Sequence, residues 1–230
     1  MVPILFHDAT LLVVDKPAGV PVHGGSRINP DTTLLARLRA AGHTGWHPAH
    51  RLDAATSGVL VLAREDDLAN LHGQFLAGAV AKTYLALVQG VLDPTAGRFD
   101  AALRRADPDA GDTGRRKVQV DPAGDPATTD YRTRTAWPQV TFVELTPHTG
   151  RTHQLRVHCR AAGHPIAGDP RYGNPTFNKL MRRRYGLERL FLHAAALRLR
   201  HPANGRQREF RAPLPGDLAA VLAALGPPRG

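Results

Sequence analysis

Apolar residues in this chain come only in short runs, and glycine, proline or charged residues cut each run off. LLVV at 11–14 ends at Asp15-Lys16-Pro17 and Gly19, and VLVLA at 59–63 is of the same kind. Runs of that length suit buried strands and fall far short of the ~18 apolar residues that span a membrane. Between them lie stretches with helical spacing. TTLLARLRAA at 32–41 sets Leu34, Leu35 and Leu38 on one face behind an N-cap at Thr32 or Thr33, with Gly42 as its stop. A helix starting at Asp66 or Asp67 carries Leu68, Leu71, Phe75 and Ala79 as a stripe.

Further strands are predicted at 82–90, 128–136 and 140–146, and a helix over 152–162 closed by Gly163. LHAAALRLRHPANGRQREFRAP reads as a hairpin turning at Asn204-Gly205, and 217–225 as a helix capped by Asp217. Residues 104–127 are rich in Asp, Gly, Pro and Arg and predict an exposed loop holding a short VQV strand. Strands and helices mix without a βαβ rhythm, so the fold class is α+β. At 230 residues the expectation is one domain over 1–230.

Several chemistries are excluded by what the chain does not contain. Its N-terminus has no basic segment and Asp8 interrupts the apolar stretch, so no cleaved signal peptide is expected. With Cys159 the sole cysteine there is neither an internal disulfide nor a CxxC zinc cluster. Twelve histidines include no HExxH helix, and GHPIAGDPRYG at 163–173 is not a phosphate loop, so neither a metal nor a nucleotide cofactor is expected. The only serines, Ser26 and Ser57, lie outside any GxSxG elbow; Ser57 reads as a turn brace. These features predict a cytoplasmic monomer with no membrane partner.

Charge is unevenly placed. The net formal charge is +10, yet residues 1–115 hold 11 basic against 12 acidic side chains while residues 116–230 hold 19 against 8. A polyanion such as nucleic acid is the partner this favours.

Two polar clusters stand out against this background. His50-Arg51-Leu52-Asp53-Ala54-Ala55-Thr56-Ser57-Gly58 packs an imidazole, a guanidinium, a carboxylate and two hydroxyls just before a buried strand. Asp53 there fits either a turn-forming residue beside Arg51 or a reactive carboxylate at the rim of a sheet. The second cluster runs from Thr149 to Arg156 where a strand passes into a helix, whose first turn offers free N–H groups to a phosphate.

HRLDAATSG resembles the HRLDxxTSG motif of the RluA family of RNA pseudouridine synthases. LLVVDKPAGVPVHGG, AKTYLALVQG, TGRTHQLRVHCRAAGHPIAGDPRYG and LFLHAAALRLRHP keep the family's order, so the resemblance spans about residues 8–213. VHGG and RLFLHAAAL are most similar to the RluC-type branch, which acts on large-subunit ribosomal RNA. Members of that branch carry an S4-type RNA-binding domain ahead of the catalytic one. Here the catalytic pattern starts within eight residues of Met1, so a catalytic domain without it is expected.

The resemblance implies a pseudouridine synthase fold: a mixed, largely antiparallel sheet with flanking helices and a central catalytic cleft. It implies isomerisation of uridine to pseudouridine without a cofactor, since the reaction is redox-neutral and internal. It makes Asp53 the catalytic carboxylate, Arg151 its guanidinium partner and Tyr84 the aromatic on the target base. Leu192 becomes the apolar wall under the uracil, and Arg51 the side chain that fills the space left by the flipped nucleotide. His50, Thr56, His153, Gln154 and Arg156 are the remaining substrate-binding candidates, and Arg182-Arg183-Arg184 a phosphate-contacting patch. The same reaction on tRNA, or a non-catalytic RNA-binding assembly factor, are the alternatives.

Overall fold

The computed structural model describes residues 2–24, 29–106 and 118–228. In chain order the first elements are β1 (Ile4–His7), β2 (Leu11–Lys16), α1 (Leu34–Ala40), β3 (His47–Pro48), β4 (Ser57–Ala63), α2 (Glu65–Leu76) and β5 (Ala81–Gln89). Then come β6 (Ala96–Asp100), β7 (Leu103–Arg105), β8 (Val118–Val120), β9 (Thr128–Trp137) and β10 (Val140–Pro147). The chain continues through α3 (Gln154–Ala161), α4 (Pro175–Tyr185), β11 (Leu192–Arg200), β12 (Gln207–Arg211) and α5 (Gly216–Leu225). It forms two compact units, Met1–Tyr84 with Leu192–Leu214, and Leu85–Phe191 with Pro215–Gly230. The fold is α+β, as expected, and its strands pair in both senses, β4 with β11 parallel and β2 with β4 or β9 with β10 antiparallel.

The first unit orders its strands β1-β2-β4-β11, with β3 beside β4 and β12 beside β11. Alternation along the strands decides what each face buries. Leu12, Val14, Leu60, Leu62 and Ala194 lie under Leu34 and Leu38 of α1 and against Trp46. Their neighbours Leu11, Val13, Val59, Val61, Leu197 and Leu199 pack with Leu71 of α2 and Phe210. β4 is therefore buried on both faces along its whole length, which is why its sequence reads as an unbroken apolar run. Each fully buried leucine here contributes about 1.5–3 kcal/mol.

Gly58 is required at the parallel pairing. It sits opposite Ala194 at φ +114°, and a Cβ at that position would fall onto the Ala194 backbone. Nearby, the Ser57 hydroxyl lies 3.0 Å from His193 Nδ1, and His193 Nε2 donates to the Ala212 carbonyl at 3.2 Å. A carbonyl can only accept, so Nε2 carries the proton there and Nδ1 is left to pair with Ser57. Ser57 braces the strand pairing.

The second unit orders its strands β5-β10-β9-β6, beside a separate β7-β8 ribbon. β9 and β10 form a long hairpin with a register shift at Phe142/Val143. Leu103, Val118 and Ala127 are buried with Val157 and Tyr172. Within the stretch expected to be an exposed loop, most described residues are exposed while Val118 and Ala127 are buried, and the VQV strand is present as β8, paired with β7; residues 107–117 lie outside the described residues.

Boundaries moved where a cap was misread. α2 starts at Glu65 with Arg64 as N-cap, and three acids fill its first turn, suiting the positive end of the helix dipole. It ends at Leu76, so Ala79 falls beyond it. α3 starts at Gln154, two residues later than expected. α5 is preceded by Pro215, and Asp217 sits inside its first turn, bound to Arg189 at 2.5 Å. α4 was not anticipated, although Asn174 accepts from the Phe177 N–H as its N-cap and Pro175 opens it.

Candidate active site

Asp53 stands in the loop between β3 and β4, and the backbone fixes that loop. The Asp53 carbonyl accepts from the Thr56 N–H at 3.0 Å, closing a turn, and the Ala54 carbonyl accepts from the Gly19 N–H at 2.8 Å. Lys16, the last residue of β2, is fully buried. Its ammonium donates to the carbonyls of Pro17 (2.8 Å), Val20 (2.8 Å) and Ala54 (3.0 Å). One buried cation thereby ties the Asp-Lys-Pro-Ala-Gly turn to the residue after Asp53. Lys16 is not among the sequence candidates; its signal is a lysine closing a strand whose preceding run, Leu11 to Val14, is wholly apolar.

Within the loop, side chains divide by direction. Arg51 is exposed and makes no hydrogen bond or ion pair with the described residues. Asp53 is half-buried, whereas Thr56 is buried. His50 turns inward: its Nε2 accepts from the Val61 N–H at 3.1 Å and its ring lies 5.0 Å from that of Phe75. Burial, reinforced by the charge of Lys82, pushes its pKa down to about 3, so the ring is neutral. His50 and Thr56, both substrate-binding candidates in the sequence, are placed where His50 meets the strand backbone and the Thr56 N–H closes the loop turn.

Tyr84, in β5, packs against the α1 side of the first core. Burial, and then the Asp53 carboxylate, push its phenol well above the ordinary value. A phenol so held keeps its proton at every working pH, which suits a stacking aromatic and a hydrogen-bond donor better than a group that ionises. Leu192 is buried at the start of β11.

The Thr149–Arg156 cluster lies in the second unit, and side chains hold it. Gln154 Oε1 accepts from the Arg151 N–H at 3.0 Å and the Thr149 hydroxyl at 2.6 Å. Its Nε2 donates to the Thr128 carbonyl and the Thr129 hydroxyl, both at 3.0 Å. One buried amide therefore satisfies four partners and fixes the backbone of Arg151. His153 adopts φ +57°, the one left-handed non-glycine among the described residues, a conformation that costs about 1–2 kcal/mol. Its Nδ1 lies 2.8 Å from the Tyr172 hydroxyl, which also accepts from the Val118 N–H at 3.0 Å.

Arg156 is buried and grips Asp169 through two bonds of 2.7 and 2.8 Å. Burial alone would raise the Asp169 carboxyl, but Arg156 and the N–H groups of Tyr172 and Arg171 outweigh it and hold the pKa low. Arg156, a substrate-binding candidate in the sequence, is thus placed in a buried pair with Asp169. Arg151 is exposed, with Nε donating to the Pro126 carbonyl at 3.2 Å and Nη1 lying 3.7 Å from Asp125. In the arginine run, Arg182 pairs with Glu188 at 2.7 Å and Arg184 lies 5.6 Å from the Tyr185 ring, at the helix end where cations are favoured.

Comparison with known proteins identifies the family. Residues 10–161 match the family model described as RNA pseudouridylate synthase. Over 223 residues the chain is 40% identical to the ribosomal large subunit pseudouridine synthase C of Haemophilus influenzae and 41% to that of Yersinia pestis; each match covers 96% of this chain and 68% of the relative. Among solved structures it is similar to human RNA pseudouridylate synthase domain containing 4, with a TM-score of 0.76, 29% identity and 99% and 95% of the two chains covered. Human RNA pseudouridylate synthase domain containing 1 is similar at the same TM-score and 28% identity, over 100% and 97% of the chains. The chain belongs to the RNA pseudouridine synthase family and is an isomerase of that class. Among the described residues no helix is long and apolar enough to cross a membrane.

Proposed function

We propose that this protein converts uridine to pseudouridine in large-subunit ribosomal RNA, with Asp53 as the catalytic carboxylate. The observation that carries this reading is the setting of Asp53. It is half-buried on a loop locked by Lys16 and Gly19, in the same unit as a half-buried tyrosine whose proton its charge helps to retain. The names of the relatives support the ribosomal substrate.

In this reading the glycosidic bond to the uracil nitrogen breaks, the base turns within the pocket, and a carbon–carbon bond forms at carbon 5, which loses its proton while the freed nitrogen takes one up. No electron or group enters from outside. Asp53 stands beside the sugar, and Arg151 is assigned, on the family resemblance, the guanidinium that keeps it ionised. Tyr84 stacks on the base and Leu192 supplies apolar wall. Arg51, exposed and unbonded, is suited to occupy the place of the extruded nucleotide.

Asp53→Asn is the test. The amide is nearly isosteric, so the melting temperature stays close to wild type and RNA still binds, while pseudouridine formation falls at least a thousandfold. Pseudouridine mapping in large-subunit ribosomal RNA from cells lacking the protein identifies the target. Near wild-type turnover by Asp53→Asn, or a missing pseudouridine in tRNA alone, would overturn the corresponding half of the proposal.

A further inference from the structure

The hairpin of β11 and β12 carries Arg198, Arg200, Arg206, Arg208 and Arg211 against a single acid, Glu209, and all five arginines are exposed. Strand alternation sorts them. Leu197 and Leu199 face the core, which turns Arg198 and Arg200 outward on the opposite face. In the antiparallel register Ala196 pairs with Arg211, Arg198 with Glu209 and Arg200 with Gln207, so Arg211 shares that outward face. Arg206 follows at the turn end.

Charge compensation separates this face from several arginines elsewhere in the chain. Arg98, Arg134, Arg156, Arg182 and Arg189 each hold a carboxylate. On the hairpin Glu209 is taken by Arg211, and Arg208 lies over the Phe6 ring at 5.9 Å. Arg198, Arg200 and Arg206 have no carboxylate partner among the described residues. Edge protection is the competing explanation, since charged side chains keep strands from pairing with other chains. Evenly mixed charges serve that end equally well, whereas this face sets Arg198, Arg200 and Arg211 against Glu209 alone and pays in self-repulsion unless a polyanion meets it.

We infer that the outward face of this hairpin, through Arg198, Arg200 and Arg206, is a phosphate-binding surface that holds RNA flanking the target nucleotide. The inference rests on the RNA-modifying function proposed above. Arg198 and Arg200, two apart on a strand, stand roughly 7 Å from each other, a spacing that lets each guanidinium take a separate phosphate of one RNA strand. Contacts of this kind position the RNA and carry no base specificity.

The experiment compares wild type with Arg198→Ala/Arg200→Ala/Arg206→Ala and with the corresponding triple lysine variant. Binding of a large-subunit ribosomal RNA fragment is followed by fluorescence anisotropy from 50 to 200 mM salt, with single-turnover kinetics in parallel. Each phosphate contact contributes about 0.7–0.9 to the log–log salt slope. The alanine variant should flatten that slope by roughly 2 and raise KM at least tenfold, with the rate on bound RNA within twofold of wild type. The lysine variant should restore the slope. An unchanged slope in a folded alanine variant overturns the surface. If wild type makes no pseudouridine in any RNA while the slope still flattens, the functional reading fails and the surface stands.

Discussion

The two polar loops solve the same positioning problem by different means. Around Asp53 the backbone does the holding: carbonyls converge on the buried Lys16 ammonium, and Gly58 lets β4 lie against β11. Around Arg151 side chains do it: Gln154 serves four partners, Tyr172 holds His153, and Asp169 receives Arg156. The first loop is therefore sensitive to volume and charge at packed positions such as Lys16 and Gly58. The second is sensitive to single polar atoms. Both leave one cation exposed, Arg51 in one and Arg151 in the other.

Gly58→Ala should be the most damaging change to the first loop. An added methyl cannot avoid the Ala194 backbone, and the residue would also occupy a left-handed φ. Loss of at least about 4 kcal/mol is expected, seen as failure to fold or a large drop in the urea midpoint. A shift below ~1 kcal/mol would show that the pairing of β4 with β11 is slack.

Lys16→Met follows. It leaves three carbonyls without their donor at a cost of about 3–5 kcal/mol in the urea midpoint. In variant protein that remains folded, turnover should fall more than RNA affinity, because Ala54 adjoins Asp53. Equal losses in both would mean that Lys16 supports the fold only.

The second loop offers the sharper contrast. Gln154→Ala should cost about 2–4 kcal/mol, and turnover should drop ten- to a hundredfold, because the Arg151 backbone loses its anchor. Gln154→Glu keeps the acceptor for Arg151 and loses the donor to Thr128 and Thr129, so it should recover part of the turnover. Identical kinetics for the two variants would remove the distinction between the loops.

The smallest effect is in pH. His50 binds its proton in the unfolded chain near 6.5 but in the folded protein only near about 3. The unfolded state therefore binds more protons as pH falls through 6.5, and stability declines on the acid side by up to about 1.4 kcal/mol per unit from this residue. His50→Gln should lower stability at neutral pH and show a shallower decline between pH 6.5 and 5, measured by urea unfolding. Parallel profiles would assign the acid sensitivity to the carboxylates held low by their partners, such as Asp169 and Asp217.

Much of this was legible in the sequence, for reasons that residues make plain. LLVV and VLVLA announced strands buried on both faces, and Thr33 announced α1 by capping it, accepting from the Ala36 N–H at 3.2 Å. The two polar clusters could be found because each gathers its chemistry within ten residues. Direction inside them could not. His50 and Arg51 are neighbours, yet one caps a strand and the other meets solvent; Arg156 reads as a basic contact until Asp169, thirteen residues on, closes over it. α4 could have been found from Asn174-Pro175, a local signal that the glycines around it obscured.

Periodicity, caps and turn residues act over a few positions, so the amino-acid sequence alone determined the α+β class, most elements and the two loops that carry the chemistry. Burial of a polar side chain is decided by segments that meet only when the chain folds. Tertiary structure alone therefore turned Lys16 into a cross-tie, made His50 a neutral strand cap and closed Arg156 on Asp169. It also left Arg198 and Arg200 without acids. A charge taken out of water must find partners wherever the chain brings them, and no local pattern specifies where that will be.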